Sequence, residues 1–283
     1  MSNLVKTALD NLVLYVEKVS PDTFKMFCSK LSKLEAFSEV PTIVESIGKG
    51  YSEYHYNLNI GKGSGALRIG YKHNTCKESK TYTMRVEFNP ATQSEEDYER
   101  FWQLFKETYK EHVKLIKQID IAFDIECNPV DIVSTSLTGR QRAIMKDTTY
   151  FGSRGNHGRL KIYNKKKEIE DRLKVKLDPD TKLTRIEYTM KFDKAVTAQI
   201  LSKADLRFSE QYKLALLSLD KQSGEMKSIL IAFHEGRVQW NEFTRTTKNK
   251  IKKALDNMQL LDIDKCYLNA RNGIVKGITS YFK

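Results

Sequence analysis

Residues 117–126, KQIDIAFDIE, constrain the fold more than any other stretch of the chain. Side chains of a strand alternate between its faces, so Ile119, Ile121, Phe123 and Ile125 fall on one side. Asp120, Ala122, Asp124 and Glu126 fall on the other. Such a segment needs a sheet with one face packed on a core and the other left polar. Leu12 to Val16 alternates in the same way. Between Tyr51 and Phe88, the stretches YSEYHYNLNI, ALRIGYK and TYTMRVEF are rich in Tyr, Val and Ile. They predict three strands of an antiparallel meander, with GKGSG as a turn and Asn89-Pro90 as a stop.

Helix signals stand between these strands. Ser20-Pro21-Asp22 opens one helix, and a second runs from about Ser94 to Lys114, with Glu95 and Glu96 in its first turn. Asp131 to Met145 is also expected to be helical. Thr148–Phe151 and Arg159–Asn164 predict two strands around a Gly-rich turn, and Leu183–Met190 another strand. Beyond Phe192 the pattern is helical. The expected fold class is α+β, a central antiparallel β-sheet with flanking helices and a helical C-terminal region. A composition shift near Asp193 divides a sheet domain, 1–192, from a helical region, 193–283.

The 48 Lys and Arg residues outnumber 36 Asp and Glu, a net charge of +12. A surplus of that size favours a polyanionic partner, because each cation placed on a phosphate releases condensed counterions. No apolar run approaches the roughly 20 residues of a membrane-spanning helix, and Asp10 interrupts the N-terminal apolar stretch. Cys28, Cys76, Cys127 and Cys266 are scattered without a CxxC pair, which fits reduced thiols and a cytoplasmic setting.

A row of carboxylates on one strand face suits a hard divalent cation, or else is a solvated polar face. MRVEF and TRIEYTM each place an Arg-x-Glu pair, Arg85/Glu87 and Arg185/Glu187, on a non-core face. Cross-strand ion pairing is the plain role for one such pair. If the strands are neighbours, the same groups join the aspartates in one acidic cluster. The stretch TTYFGSRGNHGRLKIYNKKKE is the most unusual. Its turn offers backbone N–H groups and Arg154 for a phosphate. Alternation in the following strand puts Lys161, Tyr163 and Lys165 on one face, opposite Leu160 and Ile162. From Arg159 to Lys176, eight basic residues face three acidic ones. A phenol titrates near about 10 and becomes a useful nucleophile when nearby cations favour the phenolate. Tyr163 is therefore the candidate nucleophile, with stacking on a base or a place at the sheet edge as the plainer roles. Tyr150, without basic sequence neighbours, is the rival.

This stretch resembles the Rep_trans family of rolling-circle plasmid replication initiators, which has relatives among the nicking enzymes of integrative conjugative elements. The likeness rests on Asp120, Ala122 and Asp124, then Gly152-Ser153-Arg154, then Tyr163 and Lys165, then Arg185 and Glu187, with MRVEFNP matching an early strand motif. It covers roughly Asp10 to Phe192. It implies Tyr163 as the nicking nucleophile, assisted by Lys165 and Arg154, and Asp120, Asp124 and Glu187 as ligands of Mg²⁺ or Mn²⁺. Glu87, Glu126 and His157 are alternative ligands. Asn164 stands where some relatives carry arginine, and the five histidines include no His-hydrophobic-His pair. The implied reaction is a transesterification giving a 5′-phosphotyrosine and a free 3′-hydroxyl. The implied partners are origin DNA with a single-stranded nick site, a second copy of the chain and a superfamily 1 helicase.

Arg237 to Lys253 holds six basic residues and one acid. Arg237, Arg245, Lys248, Lys250, Lys252 and Lys253, with Lys161 and Arg159, are the candidate DNA contacts, the tail serving as a helical DNA-binding region. Trp240 and Phe243 are expected to anchor that helical unit. Two other functions fit the same residues: a conjugative relaxase, and an origin-binding protein that does not cut.

Overall fold

The computed structural model describes residues 4–34, 44–45, 56–60, 67–72, 83–92, 96–153 and 155–282. In chain order it contains β1 (Leu4–Glu17), α1 (Pro21–Leu31), β2 (Val44–Glu45), β3 (Tyr56–Ile60), β4 (Leu67–Lys72) and β5 (Thr83–Phe88). Next come α2 (Glu96–Thr108), β6 (Lys114–Ile125), β7 (Ile132–Ser136), β8 (Arg142–Met145), β9 (Thr148–Phe151) and β10 (Leu160–Asn164). The remainder is α3 (Lys165–Leu173), β11 (Thr184–Val196), α4 (Ala198–Leu201), β12 (Tyr212–Leu216), α5 (Gly224–His234), α6 (Arg245–Asp256), β13 (Gln259–Leu260) and α7 (Ile263–Ser280). The fold is α+β, with antiparallel strand pairing and helices packed on the sheets. No helix among the described residues is long and apolar enough to cross a membrane.

The chain divides into two compact units interleaved in sequence. Residue 193, where the composition shifts, lies inside β11. One unit comprises Leu9–Asp120, Lys191–Ala204 and Arg271–Lys283. Its strands hydrogen-bond in the order β2-β3-β4-β5-β1-β6, so the predicted meander is present. The turn GKGSG lies outside the described residues. Alternation on β5 holds, with Met84, Val86 and Phe88 buried and Arg85 paired with Glu87 at 2.6 Å on the other face. The Ser20 side chain caps α1 and Pro21 fills its first turn. Phe27 of α1 meets the rings of Phe101 and Phe105 on α2 and of Tyr109 just past its end. Helix α2 ends at Thr108 rather than Lys114, because Lys114 opens β6.

The other unit comprises Met1–Ala8, Ile121–Met190 and Asp205–Ala270. Here β6, β11, β10, β9 and β8 follow one another, and a second sheet runs β13-β12-β7. The helix expected over 131–145 is absent; that stretch forms β7 and β8. Ile132-Val133-Ser134-Thr135-Ser136 is buried at all five positions, and β-branched residues lose rotamer freedom in a helix but pack well in a sheet. Strand β7 pairs with β12, which contradicts the expectation that no strand follows Phe192. Leu230 of α5 and Ile251, Ala254 and Leu255 of α6 close a core over Val133 and Ala215. Trp240 and Phe243 pack against that core, as their aromatic bulk in the tail suggested.

Candidate active site

Register builds the site inside this second unit. Lys161 lies opposite Glu187 and Tyr163 opposite Arg185, while on the other flank Tyr150 lies opposite Lys161. Alternation therefore puts Tyr150, Lys161, Tyr163, Arg185 and Glu187 on one face. The reverse face carries Leu160, Ile162, Ile186, Tyr188 and Met190, all buried. The core thus fixes which way the polar set points.

The Tyr163 hydroxyl donates to Glu187 Oε1 at 2.6 Å, diagonally across the β10–β11 pair. Lys161 Nζ donates to the other oxygen, Oε2. Next to them, Arg185 Nε and Nη2 grip Asp124 Oδ1 and Oδ2 of β6 at 2.6 and 2.8 Å. A bidentate guanidinium–carboxylate pair is among the strongest charge-assisted arrangements. Glu187 is 5% exposed and Asp124 7%. Burial pushes the Glu187 carboxyl up. The charge and hydrogen bond of Lys161, the Tyr163 hydroxyl and the Arg185 charge outweigh it and hold that carboxyl below the usual range. Glu187 is thus a buried carboxylate kept charged by the groups around it.

Several predicted site residues lie elsewhere. Lys165 does not share the face of Tyr163, since β10 ends at Asn164, whose side chain accepts from Lys167 N and caps α3. Lys165 opens that helix, is buried, and pairs with Glu168. Arg154 lies outside the described residues. Asp120 belongs to the other unit, where its Oδ1 accepts from Gln118, and Glu87 of that unit is paired with Arg85. Glu126 is exposed. The donor set does not fit a divalent cation in this arrangement. Both oxygens of Asp124 and both of Glu187 are engaged by cations or the phenol, and no group of three His, Cys, Asp or Glu among the described residues could hold a metal. Mg²⁺ or Mn²⁺ would have to displace Arg185 and Lys161 first.

Two features escaped the sequence. The space around Tyr150 is basic, because the Arg159 guanidinium lies over its ring at 5.2 Å and Lys161 stands opposite. Arg140 organises the Gly-rich turn, donating to His157 O at 2.7 Å and Gln211 Oε1 at 3.1 Å. Gly152, Gly155 and Gly158 all have positive φ, so the turn needs glycine for its backbone. At Gly158 (φ +72°) a Cβ would also fall on Gln211 Oε1 and the Arg140 guanidinium. Gly158→Ala is expected to lower stability by about 2–3 kcal/mol, the strain of left-handed backbone added to a broken hydrogen bond. Urea unfolding monitored by circular dichroism measures it, and an unchanged midpoint contradicts it.

The basic tail residues gather on α6 and just before it. Arg245, Lys250 and Lys253 are exposed on the helix, opposite buried Ile251, Ala254 and Leu255. Lys248 lies over the Trp240 ring at 6.0 Å, Lys250 is 3.7 Å from Glu225, and Arg237 is paired with Glu235 at 2.7 Å.

No family model matches the chain. Two Staphylococcus aureus proteins named replication initiation protein are each 27% identical to it, over 191 and 190 residues. Both alignments cover 64% of this chain and 56% of the relative, so the chain spans about half the length of the curated relatives it matches. A solved rolling circle replication initiator protein from Geobacillus stearothermophilus aligns with 82% of this chain and 96% of its own, at 13% identity and a TM-score of 0.40. In sequence, then, the chain is similar to replication initiation proteins of Staphylococcus aureus over roughly two thirds of its length.

Proposed function

We propose that this chain initiates rolling-circle replication by nicking and rejoining one strand at an origin, with Tyr163 as the nucleophile. The observation that carries the reading is the hydrogen bond from the Tyr163 hydroxyl to a buried, charged Glu187 that also holds Lys161. A carboxylate in that position can take the phenolic proton as the oxygen attacks phosphorus. The bond to the 3′-oxygen then breaks, the 3′-oxygen takes up the proton, and the strand is left as a 5′-phosphotyrosine and a free 3′-hydroxyl. Religation reverses each transfer, and no bond energy is lost.

Lys161 has two duties in this scheme. It keeps Glu187 ionised before DNA arrives, and it shares that carboxylate with the phenol, which puts a positive charge beside the reacting oxygen. A phosphate drawing Lys161 away removes the largest favourable partner of Glu187, so substrate binding makes the carboxylate a better base. The relatives' name supports the replication role, and the net charge of +12 supports DNA as the partner. A homodimer and a superfamily 1 helicase belong to the same reading through the family resemblance.

The test uses supercoiled DNA of the replicon that carries the gene, in Mg²⁺ buffer. The proposal expects relaxed circles with protein bound to a 5′ end; a shifted band with the DNA still supercoiled identifies a binder that does not cut. Arg245 and Lys253, exposed on α6, are proposed to contact the DNA backbone. Replacing both with alanine should weaken binding similarly on all sequences and flatten the slope of log K against log salt by about 2. An unchanged slope in a filter-binding titration removes α6 from the interface.

A further inference from the structure

On the face that carries Tyr163, a cavity of about 440 Å³ opens beside the β9–β10 turn. Tyr150, Ala143 and Gln141 line its sheet side, and Asn156, His157 and Arg140 its turn side. We infer that this cavity is a subsite for one unstacked base of single-stranded DNA, with the Tyr150 ring as its platform. The inference rests on the proposed nicking reading for its place in a reaction, but base binding itself does not require cleavage.

Four observations converge on that ligand. The first is placement: Tyr150 lies opposite Lys161, and the diagonal from there to Tyr163 is roughly 7–8 Å between Cα atoms. A strand whose phosphate meets Tyr163 therefore brings a neighbouring nucleotide to Tyr150. The second is the ring itself. Arg159 lies over it at 5.2 Å with its Nε buried and without a hydrogen-bond partner among the described residues, which holds the ring and adds positive charge beside a phosphodiester. Third, Ala143 is the register partner of Tyr150 and is exposed, so the neighbouring strand leaves room next to the ring. Fourth, apart from Gly152 the remaining lining is side-chain amide, hydroxyl, imidazole and guanidinium, which match the donor and acceptor edges of a base. The volume suits one small ligand rather than a duplex. Bases inside a duplex are already stacked, so a ring platform selects an unpaired strand.

Arg140 shapes this subsite from below. Its guanidinium holds His157 O and the side chain of Gln211, and Gly152 passes close to it without a Cβ. Arg140 therefore holds the His157 end of the turn that forms one wall.

The experiment uses the full chain and a twelve-residue oligothymidylate carrying one 5-iododeoxyuridine, irradiated and mapped by mass spectrometry. Fluorescence anisotropy on the unmodified oligomer, with the oligo-dT·oligo-dA duplex as control, gives affinities. The expected result is a cross-link in the peptide containing Tyr150. Tyr150→Leu should lose that cross-link and weaken single-strand binding roughly 10- to 100-fold, with duplex binding unchanged. Tyr150→Phe should keep both. Ala143→Trp, at the exposed register partner of Tyr150, fills the cavity while leaving Tyr150 itself unsubstituted and should also weaken single-strand binding. Cross-linking confined to other peptides overturns the inference, as does oligothymidylate affinity unchanged in both Tyr150→Leu and Ala143→Trp. Failure of the nicking reading looks different: no DNA becomes attached to Tyr163 while the Tyr150 cross-link persists.

Discussion

Tyr163→Phe is expected to lower covalent strand cleavage by about 10³-fold or more and to leave DNA affinity nearly unchanged. The variant keeps the ring and removes only the oxygen. That oxygen is what meets Glu187 Oε1 at 2.6 Å, so the change deletes the nucleophile and one hydrogen bond together. Loss of a hydrogen bond to a charged acceptor costs about 1–2 kcal/mol here, because Lys161 still neutralises Glu187. The protein should therefore stay folded, and cleavage and binding assays on one preparation separate chemistry from recognition. Tyr150→Phe is the necessary control. Its ring shares the face and lies under Arg159, and it should cleave normally. If Tyr163→Phe cleaves at the wild-type rate, the nucleophile is not Tyr163, and Tyr150 is the next oxygen to remove.

Glu187 should separate chemistry from stability more sharply. Glu187→Gln preserves an acceptor for the Tyr163 hydroxyl but cannot take its proton, so cleavage should fall by about 10²–10⁴-fold. The same change leaves Lys161 facing a neutral amide, at a cost of about 1–3 kcal/mol. This cost depends on pH with a definite sign. The folded Glu187 carboxyl is held below its ordinary value, first against burial and then by Lys161, Tyr163 and Arg185. Its contribution is fully present above the unfolded carboxylate value of about 4.3 and is lost as pH falls through the depressed folded value. Urea unfolding of wild type and Glu187→Gln should show a constant gap near neutrality that closes below about pH 4. A gap that widens on acidification would mean that Glu187 is not held as a carboxylate.

Much of this site was legible in the sequence. Period-two alternation placed Ile119, Ile121, Phe123 and Ile125 in the core, and the structure buries all four. It also placed Tyr163 and Lys161 on the face opposite Leu160 and Ile162, where they lie. Partner choice was not legible, because it depends on register between distant strands. Arg185 takes Asp124 and Glu187 takes Lys161, so two of the three suggested metal ligands stand in ion pairs that alternation alone does not predict. Lys165 failed because alternation was carried one residue past the end of the strand. Asn164 followed by Lys-Lys-Lys-Glu is a helix start, and its capping side chain was the missed signal. Strands β7 and β12 were read as helix for different reasons. The Ile-Val-Ser-Thr-Ser run signals a strand by itself, whereas Tyr-Lys-Leu-Ala-Leu suits either form until pairing decides. Nothing near Arg140 in the sequence points to a glycine turn 12 to 18 residues later in the chain.

The most direct measurement is the identity of the side chain that becomes joined to DNA. Cleavage of origin DNA followed by nuclease and protease digestion should leave one nucleotide-bearing peptide, and mass spectrometry should place the phosphate on the Tyr163 oxygen. A phosphate on Tyr150, or nicked circles with no protein–DNA linkage at all, would contradict the account.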